Sequence, residues 1–235
     1  MEIQEGGTMK RLFLGIIMLM MMSFAYANDI YVTQSGATLD LDITQDGQNN
    51  KVGNSTTAST VTGATTTIDI DQIGNTNILK FDVNGATFTG TFSTTGNSND
   101  IDFNCDSDGT GSSCATATAS IVWVGSSNDI DIDIGEDADA ANATVSITGA
   151  SGSDSNVVAS TIDGKSVILT LSVNGDTNNY LIDINGDGDV VGHTYIHTHV
   201  GSIADVDVTQ SGVYDNMVTL STTGDNHDID ISQTD

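Results

Sequence analysis

Residues 63–99 read GATTTIDIDQIGNTNILKFDVNGATFTGTFSTTGNSN, with Gly63, Gly74, Gly85 and Gly96 spaced 11 residues apart. Between the glycines, apolar and polar residues alternate, as in Ile68-Asp69-Ile70-Asp71. Alternation with period two is the mark of a strand with one buried face. A four- to six-residue strand followed by a glycine turn, repeated, makes a unit of about 22 residues with two strands.

The pattern extends outward from this stretch in both directions. Gly36 and Gly47 keep the spacing of 11, as do Gly164, Gly175 and Gly186, and Gly201 and Gly212. Insertions interrupt it near 54–62, 105–118, 136–152 and 190–198. Five or six residues of strand span ~17–20 Å, and a turn of three to five reverses the chain. Two strands then form one flat coil, and the next coil stacks ~4.8 Å above it. The sequence therefore predicts an all-β chain, a β-solenoid of about eight two-stranded coils of ~22 residues. A β-sandwich or barrel also uses short strands at 8–12-residue spacing, but its turns vary more and its core carries more large aromatics. The chain has no proline, as expected where every strand amide must donate to a neighbour.

In Asp129-Ile130-Asp131-Ile132-Asp133-Ile134, one side of the strand is all isoleucine and the other all aspartate. The same holds at Leu39–Ile43, Ile68–Asp71, Asp205–Val208 and Asp228–Ile231. The aliphatic set is expected inside and the aspartates in solvent, because a buried carboxylate needs a cation and few exist here. Two carboxylates stacked 5 Å apart repel by about 3 kcal/mol at an effective dielectric near 20. They are expected either to be staggered and screened or to be neutralised by divalent cations.

Composition narrows the function. The 235 residues carry 5 Lys+Arg against 32 Asp+Glu, a net charge of -27. Such a polyanion is a poor partner for nucleic acid or an anionic membrane. Residues 9–27 read as a secretory signal: Lys10-Arg11, an apolar run Leu12–Met22, and Ala25-Tyr26-Ala27 for cleavage. That run is too short for a comfortable membrane span, so no stable membrane insertion is expected. Residues 1–8 are expected to be leader translated ahead of a true start at Met9, and 28–235 the mature repeat domain. In the oxidising compartment this implies, Cys105 and Cys114 are expected to pair around the loop between them; free, inert thiols are the alternative.

The turns are alike. Gln45-Asp46-Gly47-Gln48-Asn49-Asn50 and Gln72-Ile73-Gly74-Asn75-Thr76-Asn77 share Q-x-G-x-x-N, and Gln34-Ser35-Gly36 and Gln210-Ser211-Gly212 share its first half. Gly96–Asn99, Gly125–Asn128 and Gly175–Asn178 keep G-x-x-N. Stacked amides at such positions can ladder from coil to coil. These turns resemble the curlin repeat, the unit of bacterial curli fibres. The resemblance covers most of 29–235 and is strongest around Gln34, Gln45, Gln72 and Gln210. It implies a two-strand-per-coil solenoid that stacks end to end into an extracellular functional amyloid at a bacterial surface.

Other constellations compete. Asp183-Ile184-Asn185-Gly186-Asp187-Gly188-Asp189 has the oxygen spacing of a calcium turn, with Asp183, Asn185, Asp187 and Asp189 as ligands. Thr194 stands where a helix-flanked loop needs glutamate, so an EF-hand is excluded. Asp106, Asp108 and Gly109 make a weaker version. His197 and His199 share a strand side with Tyr195, and His193 precedes them. They are expected as surface histidines of one coil; the alternative is a zinc or copper site. No enzyme is expected, since the chain lacks a nucleophile elbow and a thin solenoid offers no apolar pocket for a catalytic carboxylate.

The expected function is structural: a secreted fibre subunit for adhesion or biofilm, binding copies of itself or a related subunit and needing no cofactor. Its expected assembly edges are the first and last strands, through Ile30, Val32, Ile229 and Ile231. A monomeric, calcium-stabilised acidic surface module is the alternative.

Overall fold

The computed structural model describes residues 29–54, 56–105, 114–135, 142–186, 192–212 and 216–234. The predicted leader, the signal and Asn28 lie outside these residues. The chain winds into a β-solenoid with two strands per coil, and all its named strand pairs are parallel. A first face is built from β1 (Asp29–Ile30) and the start of β2 (Thr33–Asp46), then β3 (Lys51–Val52) and the start of β4 (Ser59–Ile73), then the first part of β5 (Ile78–Thr95). It continues through β6 (Asp100–Cys105), β8 (Asp129–Ile134), β10 (Val157–Asp163), β12 (Asn178–Asn185), β14 (Ala204–Ser211) and β16 (Asp228–Thr234). The second face holds the later parts of β2, β4 and β5, then β7 (Thr116–Val124), β9 (Asn142–Gly149), β11 (Val167–Asn174), β13 (Thr194–Val200) and β15 (Met217–Thr223).

The register is continuous. One column of the first face runs Asp29, Lys51, Ile78, Asp100, Asp129, Val157, Asn179, Asp205, Asp228. Equivalent residues lie 22 apart at Asn77–Asn99 and at Asn156–Asn178, and 29 apart at Asn99–Asn128, where the Cys105–Cys114 loop is inserted. The register thus continues across the insertions, because parallel pairing joins coils and not sequence neighbours.

The strands differ from expectation in one respect. β2, β4 and β5 run for 14, 15 and 18 residues, longer than the predicted five or six. Gly36, Gly63 and Gly85 stack in register at one corner, and pairing continues straight through it. A Cβ at Gly63 would lie 2.6 Å from the Gly36 carbonyl oxygen, so only glycine lets the corners nest. The corner is a bend within a strand and not a turn between two.

The core is a thin slab between the faces. In β8, Ile130, Ile132 and Ile134 are buried while Asp129 and Asp131 are exposed, which gives the alternation its predicted orientation. Aromatics fit because small residues sit beside them. Phe88, Phe92 and Phe103 pack with ring centroids 4.8 to 6.4 Å apart, and a Cβ at Gly90 would strike Phe88. Gly149 likewise stands opposite Trp123, whose indole takes the space a side chain would need.

Candidate assembly surfaces and buried ladders

The turn that closes most coils begins with glycine and ends with a buried asparagine. At Gly74–Asn77, φ is 155° for Gly74 and 59° for Thr76. A Cβ at Gly74 would overlap the Gly47 carbonyl oxygen of the previous coil. Gly96 repeats the geometry, with φ 147° there and 59° at Ser98. The left-handed third position turns the asparagine side chain inward.

These asparagines form a ladder. The backbone N–H of Asn50 donates to Asn77 Oδ1 (3.2 Å), and that of Asn77 to Asn99 Oδ1 (2.9 Å). Asn99 donates to Asn128, Asn128 to Asn156 and Asn156 to Asn178 at 2.9, 2.8 and 2.9 Å. The side-chain amides of Asn99, Asn128 and Asn178 each donate to the carbonyl of their own turn glycine at 3.0 Å. The ladder thus satisfies buried backbone donors where the chain reverses. Ala204 then interrupts it, and His227 Nδ1 accepts from the Ala204 N–H at 3.3 Å. Neither Asn156 nor His227 belongs to a whole G-x-x-N motif, and His227 reads from the sequence as a lone histidine; Gly224-Asp225-Asn226-His227 is G-x-x-N with histidine at the last position.

The glutamines ladder in two places. Gln72 Nε2 donates to Gln45 Oε1 (2.8 Å) and to the Ile78 carbonyl (3.2 Å) on the second face. Gln233 Nε2 donates to Gln210 Oε1 (2.9 Å) and to the Asn216 carbonyl (3.0 Å) on the first. Gln34 heads the same first-face column, which then runs Val61, Val83, Cys105, Ile134, Ile162, Ile184, Gln210 and Gln233. Gly212 opens a corner with φ 158°.

The two ends of the stack are exposed. Ile30 and Val32 are half-buried. Ile229 and Ile231 sit in the buried columns of Val206 and Val208, yet are 37% and 45% exposed because no described strand lies over them. Ile30, Ile229 and Ile231 thus lie at inward positions of β1 and β16, and Val32 packs against the core between β1 and β2.

The first face carries most of the strand carboxylates. Asp100 stacks on Asp129, Asp102 on Asp131, Asp205 on Asp228 and Asp207 on Asp230. Full staggering is thus not how repulsion is avoided. Uncharged residues interrupt the columns, as Ala159 and Leu181 do between Asp131 and Asp207. Lys80 bridges Asp100 and Asp102 at 3.0 Å each. Desolvation alone would lower the Lys80 pKa, but the hydrogen bonds and charges of these two aspartates raise it overall. Burial first, and the charges of Asp133, Asp102 and Asp129 second, push the Asp131 carboxyl up to about 6, with Lys80 opposing.

The histidines correct an expectation. His193, His197 and His199 are buried inside the last coils, not displayed on the surface. Tyr195, His197 and His199 do share one side of β13, and that side faces in because Ile196, Thr198 and Val200 face out. Tyr180 OH lies 2.9 Å from His199 Nδ1, and Tyr195 OH 2.9 Å from His197 Nδ1. Burial, with His199 nearby, pushes the His197 pKa down to about 3. Burial lowers His199 as well, with His227 adding to the effect and Asp176 and Gly201 opposing it. His197 and His199 are thus neutral core imidazoles tied to phenols.

Of the candidate calcium turn, Asp183 is exposed on β12 beside Thr161 and Thr209, and Asn185 Oδ1 accepts a hydrogen bond from Ser211 Oγ. Asp187 and Asp189 lie outside the described residues, as do Asp106, Asp108 and Gly109. Among the described residues no group of three or more His, Cys, Asp or Glu is arranged to hold a metal ion. Cys105 and Cys114 are joined by a disulfide with Cα atoms 5.8 Å apart, both buried at the root of their loop.

Comparison with protein-family models, curated proteins and solved structures returns no match.

Proposed function

We propose that this chain is a secreted structural protein, a curli-like fibre subunit that assembles by stacking strands end to end. The observation that carries the reading is the register shared by its terminal strands. Traced through the whole stack, Asp29, Ile30, Val32, Thr33 and Gln34 fall in the columns of Asp228, Ile229, Ile231, Ser232 and Gln233. A second copy set on β16 in continuous register puts isoleucine on isoleucine and glutamine on glutamine. The ladder direction agrees: in both glutamine pairs the later residue donates Nε2 to the earlier Oε1. An incoming Gln34 would donate to Gln233 in the same sense. Open edges are normally a liability; in this reading they are the working surfaces, joined head to tail.

Replacing Ile231 by lysine tests the reading, because it puts a charge into the column that an incoming strand must cover. Seeded growth followed by electron microscopy should show wild-type filaments lengthening and Ile231→Lys failing to extend from seeds. Equal growth by both chains would remove β16 as an assembly edge.

A further inference from the structure

The charge is not shared evenly between the faces. Among the described residues of the second-face strands, outward aspartates occur only at Asp40, Asp42, Asp46, Asp69 and Asp71. From Thr87 onward, none of the described outward positions of β5, β7, β9, β11, β13 and β15 is charged. They carry short hydroxyls and aliphatics: Thr89, Thr91, Thr118, Ser120, Thr144, Ser146, Thr170 and Thr198, with Val122, Val124, Ile168, Ile196, Val200 and Met217 between them. The six aliphatics are 36% to 50% exposed. Ile168, Ile196 and Met217 are diagonal neighbours around Thr170 and Thr194. In a chain of net charge -27, this is an uncharged, pleated, partly apolar sheet face.

We infer that this face pairs with the same face of a second copy, sheet against sheet, with the two solenoids running antiparallel. Charge selects both the occupant and its direction. Two such polyanions repel wherever first faces meet, and only the second face from β5 to β15 lets them touch without opposing carboxylates. Placing the stacks parallel would set Asp40, Asp42, Asp69 and Asp71 of one copy against those of the other. Placing them antiparallel, with β5 opposite β15, β7 opposite β13 and β9 opposite β11, lets the acidic first coils project past the partner. The two-fold axis then lies along the strands, each outward column faces itself, and Ser146 meets Thr170 while Val124 meets Val200. Six strands at ~4.8 Å and eight residues of width cover roughly 700 Å² per copy, the size of a standard stable interface. Flat rows of Thr, Ser, Val and Ile interdigitate well in dry sheet-to-sheet contacts. This lateral contact does not use the end strands, and it stands whether or not the chain grows end to end.

Sedimentation velocity on freshly purified, seed-free residues 28–235 tests it, at several concentrations and with circular dichroism confirming each fold. The wild type should sediment as a dimer. Ser146→Asp should give monomers, because the two new charges face the partner's centre. Thr161→Asp, on the first face, should remain dimeric. Mixing Ser146→Lys with Thr170→Asp should restore the dimer, which a merely damaged fold would not do. Wild-type monomers throughout, or dimers that Ser146→Asp leaves intact, would overturn the inference. So would a monomer that instead arrests ice growth, since the hydroxyl rows would then belong to a crystal lattice. Filaments of single-solenoid width would overturn the lateral contact alone, and dimers that never form filaments would overturn the fibre reading alone.

Discussion

At the scale of single residues, the turn asparagine and the turn glycine hold the coils together. Asn128 is buried, accepts the Asn99 N–H, and donates to Gly125. Asn128→Ala leaves buried backbone groups unpaired and should cost about 1–3 kcal/mol in urea unfolding. Thr89→Ala, exposed on the second face, should stay within about 0.5 kcal/mol. Gly74→Ala combines a positive φ of 155° with a Cβ overlapping the Gly47 oxygen, and should lose more than about 3 kcal/mol. These positions were legible where the motif was whole, as at Gln45–Asn50 and Gln72–Asn77. Asn156 and His227 escaped because the ladder needs only one acceptor at the right corner, and Ser151–Asn156 and Gly224–His227 supply it with different flanking residues. The histidine placement escaped for a related reason: alternation says which residues share a side, not which side is in. Here Tyr195 and the branched, smaller Ile196, Thr198 and Val200 were both credible interiors.

At the scale of the element, β8 and β13 respond to acid in opposite senses. His197 has a folded pKa of about 3, below the ordinary 6.5, so the unfolded chain binds the proton more readily. Its contribution to stability is present above about 6.5 and is lost as pH falls toward 3. Asp131 has a folded pKa of about 6, above the ordinary 3.8, so the folded chain binds the proton more readily. Stability on its account rises as pH falls from 6 to 3.8. Urea titrations at stepped pH should therefore show His197→Gln retaining more of its neutral-pH stability at pH 4 than the wild type retains; parallel curves would contradict the assigned burial. Lys80→Met removes the one charge that lowers the Asp131 pKa, so the Asp131 midpoint, read by NMR of its carboxyl carbon, should move above 6. At this scale the strand positions and the inward aliphatics were legible from period two alone. The length of β2, β4 and β5 was not, because Gly36, Gly63 and Gly85 read as turn formers in one chain. They act as bends only once three glycines stack.

At the scale of the whole molecule, the solenoid was legible because its repeat states the fold many times over. The unequal charge of its faces was not. Asp-Ile runs and Thr-rich runs each look like exposed strands, and only the coil order puts most of the first on one face and the second, from β5 onward, on the other. Continuous parallel register makes every coil a template for the next, and the terminal strands share the same columns. The central claim is that this templating continues from one copy to the next. X-ray fibre diffraction on aligned residues 28–235, grown with and without seeds and imaged by electron microscopy, tests it most directly. The account predicts filaments with a ~4.7–4.8 Å reflection along the fibre axis and a ~10 Å reflection across it. Persistently filament-free solutions, seeded or not, would contradict it.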